Sequence, residues 1–245
     1  ASHHHQPAWY IGGVRCWAGM RWRISATRVA RKPASGAIMA AMVASDQPLA
    51  SVMPIVRAAF FGKPTSDFNL LPLISLIRGR RMRHILQVAL QAVFGHAADI
   101  EDTWKNYFCL ASNYTQAREQ VISRGPLAQS ILASTAIPGA FPPVPLAGDL
   151  LFDGGTFNNF PVSIMRKRRG VGKVIGIDLG NRKPKPVAFE EVPGTWALLR
   201  DRLRPRQQRR YKLPSFMAYL LNVNIMYSSS RQDESRRLTD LYFCP

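Results

Sequence analysis

The stretch S-T-A-I-P-G-A-F-P-P-V-P-L-A-G-D-L-L-F-D-G-G-T-F-N-N-F-P, from Ser134 to Pro161, decides how this chain reads. Leu150, Leu151 and Phe152 form a short apolar run that predicts a strand, and the chain then breaks at Gly154 and Gly155. Glycine permits a turn with positive φ and lets backbone come close to a neighbouring group. Asp153 is therefore presented at the end of a strand, the place where α/β sheets put their chemistry. Asn158, Asn159 and Pro161 follow, and the next residues open a helix. Taken alone, Asp153-Gly154 is equally a turn signal in which the carboxylate only caps the bend.

Working outward, 245 residues suffice for one α/β domain with a real core, and an apolar fraction of 47% excludes global disorder. The formal charge of +18 calls for a polyanionic partner, either nucleic acid or an anionic membrane face. No nucleic-acid motif accompanies the charge, so the membrane is the preferred reading and specific nucleic-acid binding the remote one. Cys16, Cys109 and Cys244 are odd in number and lack metal-ligand spacing, which argues against a disulfide framework or a zinc site. A reducing, cytoplasmic setting fits that usage. No apolar run reaches membrane-spanning length, and no signal-peptide core stands at the start.

Ala133-Ser134, Ile137-Pro138-Gly139, Phe141-Pro142-Pro143, Asp153-Gly154-Gly155, Asn158-Asn159 and Pro161-Val162 together resemble the second catalytic block of the patatin-like phospholipases, in the neuropathy-target-esterase-like branch. The resemblance implies a three-layer α/β/α fold with a mostly parallel central sheet. It implies a Ser-Asp dyad acting on phospholipid or lysophospholipid esters, with no metal and no cofactor. On it, Asp153 is the base, and Gly154 and Gly155 shape its loop.

The N-terminal partner is harder to find. Residues 1–34 contain no acidic residue, while Arg15, Arg21, Arg23, Arg28, Arg31 and Lys32 crowd among Trp9, Trp17 and Trp22. This segment reads as a basic binding arm, or as the product of a frame error in GC-rich DNA rather than native coding sequence. His3-His4-His5 reads as a solvated tail. From Ser35 the chain turns small and apolar, a good helix former, and looks like the helix behind the family's G-x-S-x-G-A nucleophile turn. Setting Gly36 on the second glycine puts Ala34 at the nucleophile and Lys32 at the first glycine. Ser35 then stands one position late: it is the nucleophile candidate, with a helix cap the stronger reading. Ile11-Gly12-Gly13-Val14-Arg15-Cys16 echoes the family's oxyanion loop, but it lies too near Gly36 to be carried over. The expected organisation is an atypical segment 1–34, a catalytic domain 35–180 incomplete at its N-terminus, and a basic helical extension 181–245.

Elsewhere, the helix from Ser35 is expected to continue through Asp46 to Phe61, with another from Ile85 to Phe94. Tyr107–Tyr114 predicts a strand covered on both faces, with Cys109 packed inside it. Glu119–Ser123 predicts a strand, and Pro126 opens a helix to Ala136. Phe160–Arg169 predicts a helix and Lys173–Leu179 a buried parallel strand, whose Asp178 reads as structural. Asn181–Pro193 is linker, Trp196–Leu203 helical, Arg204–Lys212 a basic run, and Pro214–Arg237 an amphipathic helix. Arg78, Arg80, Arg81 and Arg83 beside the apolar run from Phe68 to Ile77 either meet lipid phosphate or form a solvated helix end. His84 and His96 flank the second helix without an obvious metal or catalytic partner. The expected function is a serine lipid acyl hydrolase, cytoplasmic or peripheral at the inner membrane face. The alternative is an inactive patatin-like fragment that binds membrane surfaces.

Overall fold

A computed structural model describes residues 10–13, 35–61, 63–178, 191, 193–205, 208, 210, 219, 220, 223 and 226–244. The readings placed on His3–His5, on the Trp and Arg cluster, on most of Asn181–Pro193 and on much of Arg204–Met226 lie outside these residues.

The fold is α/β. Helix α1 (Ser35–Ala44) is apolar on nearly every side, and Ala37, Ile38, Ala40, Ala41, Met42 and Ala44 are all buried. Such a helix belongs in the middle of a core rather than on its surface. It does not run on as expected. Asp46 takes a left-handed φ of 60°, breaking the chain before α2 (Leu49–Phe61). Helix α3 (Arg80–Phe94) buries Met82, Leu86, Ala89, Leu90 and Val93 along one stripe, and Gly95 ends it at φ 81° with its N–H donating to Gln91 O at 2.8 Å.

Strand β2 (Asn106–Asn113) is the centre, buried from Tyr107 onward. Strand β1 (Tyr10–Gly13) pairs with it in parallel. Strand β3 (Arg118–Ile122) and strand β5 (Asp149–Asp153) pair with it antiparallel, and strand β4 (Val144–Leu146) pairs antiparallel with β5. The expected mostly parallel sheet is therefore met only at β1/β2 among the described residues. Two of these antiparallel pairings follow from connection length: residues 114–117 join β2 to β3, and Ala147 and Gly148, both at positive φ, join β4 to β5. Turns that short return the chain antiparallel.

Side chains on the two faces of β2 enter different cores, as strand alternation requires. Tyr107, Cys109 and Ala111 join the large cluster with α1, α2, α3 and α4 (Leu127–Thr135). Phe108 instead packs with Phe160, Val162, Met165 and Val174 around α5 (Val162–Arg166), which is shorter than the helix expected over Phe160–Arg169. Burial pushes the Cys109 thiol up to about 12, the behaviour of a packed core residue.

The strand expected at Lys173–Leu179 is β6 (Ile175–Ile177). It is parallel, but to β7 (Leu241–Phe243) at the far end of the chain, in a separate two-stranded sheet. Helix α6 (Thr195–Leu203) lies between them in sequence, and α7 (Met226–Ser230) and α8 (Gln232–Arg237) lead into β7.

Candidate functional site

Asp153 ends β5 half-buried, held at every backbone group. Its N–H donates to Ala136 O at 2.9 Å, just past α4, and its carbonyl accepts the Ser112 hydroxyl of β2 at 2.8 Å. One carboxylate oxygen, Oδ1, accepts the Gly155 N–H at 2.8 Å and so caps the turn Gly154–Thr156. The capping role and the functional one are thus compatible: the cap fixes the side chain's direction.

The two glycines serve space rather than handedness. Neither is among the positive-φ residues, which corrects the expectation of a left-handed break. A Cβ on Gly154 would stand 2.3 Å from Leu110 O, so the turn is pressed directly on the β2 backbone. A Cβ on Gly155 would stand 3.2 Å from Asp153 Oδ1, crowding the carboxylate. Only hydrogen fits comfortably at the first position.

Strand register brings a second element to this point. Cys109 pairs with Gly13 on one edge of β2 and Ile122 on the other, while Ala111 pairs with Asp153 and Gln120. Strands β1 and β5 therefore share one edge of β2, and their C-terminal ends point at each other across Leu110. Gly12-Gly13, set aside because the motif's last glycine is missing and Gly36 lies too near, is brought by its backbone to the end of the Asp153 strand.

Ser35 is the first residue of α1. Two residues on, Ala37 O accepts the Tyr107 hydroxyl of β2 at 3.2 Å, which ties this end of the helix to the central strand. The Ser35 side chain lies outside the described residues. Asp178 stands apart from Asp153, fully buried, and takes hydrogen bonds from Tyr242 Oη at 2.8 Å and from Gln232. His96 meets Asp102 Oδ2 at 3.2 Å on the exposed surface, and His84 is exposed. Among the described residues no cluster of three His, Cys, Asp or Glu forms a metal site.

Several supporting residues escaped the sequence reading. The turn after Asp153 is clasped from two sides: Asn158 donates to Glu119 Oε2 of β3 at 3.1 Å, and Ser228 Oγ of α7 accepts the Asn159 N–H at 2.5 Å. Tyr227 packs edge-on against Phe157 at 6.3 Å. At the end of β2, buried Asn113 donates to Gln120 Oε1 at 2.6 Å and Asp149 Oδ2 at 2.8 Å, fastening β3 and β5 together. The available signal was Ser112-Asn113 closing an apolar strand, since buried polar residues need partners.

Residues 34–166, more than half of the chain, match the family model described as patatin-like phospholipase. Lysophospholipase NTE1 of Candida albicans is 32% identical over 153 residues, covering 62% of this chain and 11% of that protein. Lysophospholipase NTE1 of Lodderomyces elongisporus is 28% identical over 216 residues, covering 85% of this chain and 14% of that protein. The corresponding protein of Meyerozyma guilliermondii is 30% identical over 189 residues, covering 71% and 13%. The chain thus spans only a small part of the length of these curated relatives. With Asp153, both glycines and α1 all inside the matched region, the chain belongs to the patatin-like phospholipase family, in its neuropathy-target-esterase-like branch.

Proposed function

We propose that this domain is built for hydrolysis of phospholipid or lysophospholipid carboxylic esters, with Asp153 as general base. The observation that carries the proposal is the Asp153 turn itself: a carboxylate at a strand end, oriented by the Gly155 N–H and seated where only Gly154 fits. In the reaction, the Ser35 hydroxyl adds to the ester carbonyl as its proton passes to Asp153. Collapse of the tetrahedral intermediate expels the alcohol, which takes that proton back from Asp153. Water then enters by the same route, giving a proton to Asp153 while its oxygen attacks the acyl-serine; collapse of this second intermediate breaks the bond to Ser35 Oγ, which takes that proton back from Asp153 as the fatty acid leaves. The pairing that brings Gly12-Gly13 and the end of β5 to one edge of β2 supports reading the Gly12-Gly13 backbone as the donor to the oxyanion. The proposal includes the fuller three-layer α/β/α sheet of the family, with β1/β2 as the start of its parallel part, and a lipid substrate met at an anionic membrane face on the cytoplasmic side.

Release of fatty acid from lysophosphatidylcholine by the full chain tests this reading. Asp153→Asn and Ser35→Ala are each expected to abolish it. Turnover lost with Asp153→Asn but kept in Ser35→Ala would assign the nucleophile elsewhere. A second reading, a domain that binds lipid without cleaving it, is favoured by Ala34 standing where the nucleophile motif places serine. Lipid binding with no turnover in the unaltered chain would establish it.

A further inference from the structure

The loop from Asp67 to Arg78 is a closed structure with an apolar tip. Its stem is a short antiparallel ladder: Phe68 bridges Ile77, Asn69 N–H donates to Leu76 O at 2.8 Å, and Arg78 N–H donates to Asp67 O at 2.7 Å. Inside it, Asn69 Nδ2 donates to Ser75 O at 2.7 Å, and Ser75 Oγ donates to Ile77 O at 2.8 Å. Beyond this braced stem the side chains turn outward. Leu70 and Leu73 are each 91% exposed, Leu71 76% and Ile74 71%. Four large aliphatic residues at one tip are not the scattered surface leucines that folded proteins carry.

Basic residues gather at the base of the same loop. Arg78, Arg80, Arg81 and Arg83 are exposed, and the first turn of α3 holds no acidic residue. Cations at a helix N-terminus oppose the helix dipole, so helix stability does not account for them. The acidic group facing them is Asp67, whose Oδ2 accepts the Arg81 N–H at 3.2 Å; the Arg81 guanidinium bonds Ser66. An apolar tip with arginines at its base complements a bilayer surface, hydrocarbon beneath anionic headgroups.

The loop is also wired to the candidate site. Leu76 N–H donates to Gly139 O at 2.9 Å and Ile77 N–H to Ala140 O at 3.0 Å. Three residues before Gly139, Ala136 O holds the Asp153 N–H at 2.9 Å. Arg78 and Arg83 share one groove with Thr135, Ala136, Phe141 and Pro143. A loop entering the membrane here would bring that groove to the headgroup layer.

We propose that the Leu70–Ile74 tip inserts into an anionic lipid surface, with Arg78, Arg80 and Arg83 meeting the headgroups. This deepens the hydrolase reading and rests on it for its purpose, but its test is binding. Partition of the full chain onto vesicles of equal parts phosphatidylcholine and phosphatidylserine is measured beside pure phosphatidylcholine vesicles. Leu71→Ser with Leu73→Ser is expected to lower partition onto the anionic vesicles about tenfold or more. Arg78→Gln, Arg80→Gln and Arg83→Gln together are expected to cost about as much there and little on neutral vesicles. Either set leaving partition unchanged would overturn the proposal, as would failure of the unaltered chain to bind. A concentration-dependent dimer dispersed by the leucine variants, with no vesicle uptake, would assign the tip to self-association instead. Hydrolysis of a soluble short-chain ester by the unaltered chain is followed alongside. Its absence would sink the hydrolase reading and leave the partition result standing.

Discussion

Asp153 and Asp178 both stand where a short strand stops, yet the chain surrounds them in opposite ways. Asp153 is half-buried, and the partners described for it are backbone groups and the Ser112 hydroxyl that meets its carbonyl. Asp178 is wholly buried, and its carboxylate gathers Tyr242 and Gln232, with Arg236 at 3.3 Å. All three come from the last part of the chain. The second aspartate is a clasp that locks α8 and β7 onto β6, where charge is neutralised by its fixed partners. The first has its Oδ1 oriented by the Gly155 N–H, and in the proposed reaction that carboxylate serves as the base. Position at a strand end is shared; the proposed function makes Asp153 a site, while the contacts of Asp178 make it a fastening.

The largest expected effect tests that separation. Asp153→Asn keeps an oxygen to accept the Gly155 N–H, so the turn and the melting temperature should survive. Ester turnover should fall by about a thousandfold or more, since amide cannot serve as base. Asp178→Asn should do the reverse, costing on the order of 2 kcal/mol of stability and leaving turnover per folded molecule near normal. Thermal melts read with turnover on the same samples check both. If Asp178→Asn removed activity without destabilising the fold, the two strand ends would have been assigned the wrong way round.

The glycines of the two regions sharpen the same contrast. An alanine methyl at Gly154 would meet Leu110 O at 2.3 Å, and a main-chain oxygen in the central strand has nowhere to go. Gly154→Ala is expected to cost about 3 kcal/mol and displace the carboxylate. At Gly176 in β6 the nearest obstacle is the tip of the Phe160 ring at 2.4 Å, with Thr239 Cγ2 at 2.9 Å. Side chains yield where backbone does not, so Gly176→Ala is expected to cost about 1 kcal/mol. Urea unfolding of the two variants compares them directly.

What sequence reading could reach follows from the range of the forces involved. Leu150–Phe152 as a strand, Asp153 at its end and Pro126 heading α4 are set by neighbours in the chain, and they stand as expected. The direction of β5 against β2 is not local. It depends on the hairpins at residues 114–117 and Ala147-Gly148 together with the crossing through α4 between them, and no local pattern sets that sum. Strand β4 hid behind Pro145, which is tolerated because β4 ends the path of strands among the described residues. Ala136 O and Ser228 Oγ hold the Asp153 turn from distant stretches, and no periodicity in either points there. The exposure of Leu70–Ile74 was equally out of reach, because an apolar run reads the same whether it is buried or not.

Alkaline pH acts on one side of the comparison. The Tyr242 phenol is pushed up to about 12 from its ordinary 10, first by burial and then by the Asp178 carboxylate it donates to. The folded state holds this proton more tightly than the unfolded chain does. Its stabilisation is complete below pH 10 and is lost as pH rises from there through about 12. Limited proteolysis across that window is expected to release the C-terminal segment, in step with tyrosinate absorbance. In Tyr242→Phe the step should vanish. Cleavage beginning well below pH 10 would show that some other group fastens β7.

The smallest effect concerns Ser134 on α4, whose buried Oγ makes no hydrogen bond among the described residues. A buried hydroxyl left unmatched is a cost to the fold, since it gave up water for nothing. Were Ser134 only packing, Ser134→Ala would change stability by no more than about 0.5 kcal/mol, or raise it. Residues packed in the core are expected to behave this way, and Asp178 is the opposite extreme, a buried polar group that is fully used. Turnover of a short-chain ester should then stay within about twofold. Activity that collapsed in Ser134→Ala while stability rose would move this hydroxyl from the core to the chemistry. Residue 134 lies two positions before the carbonyl that holds Asp153, so it would then compete with Ser35 for the nucleophile's role.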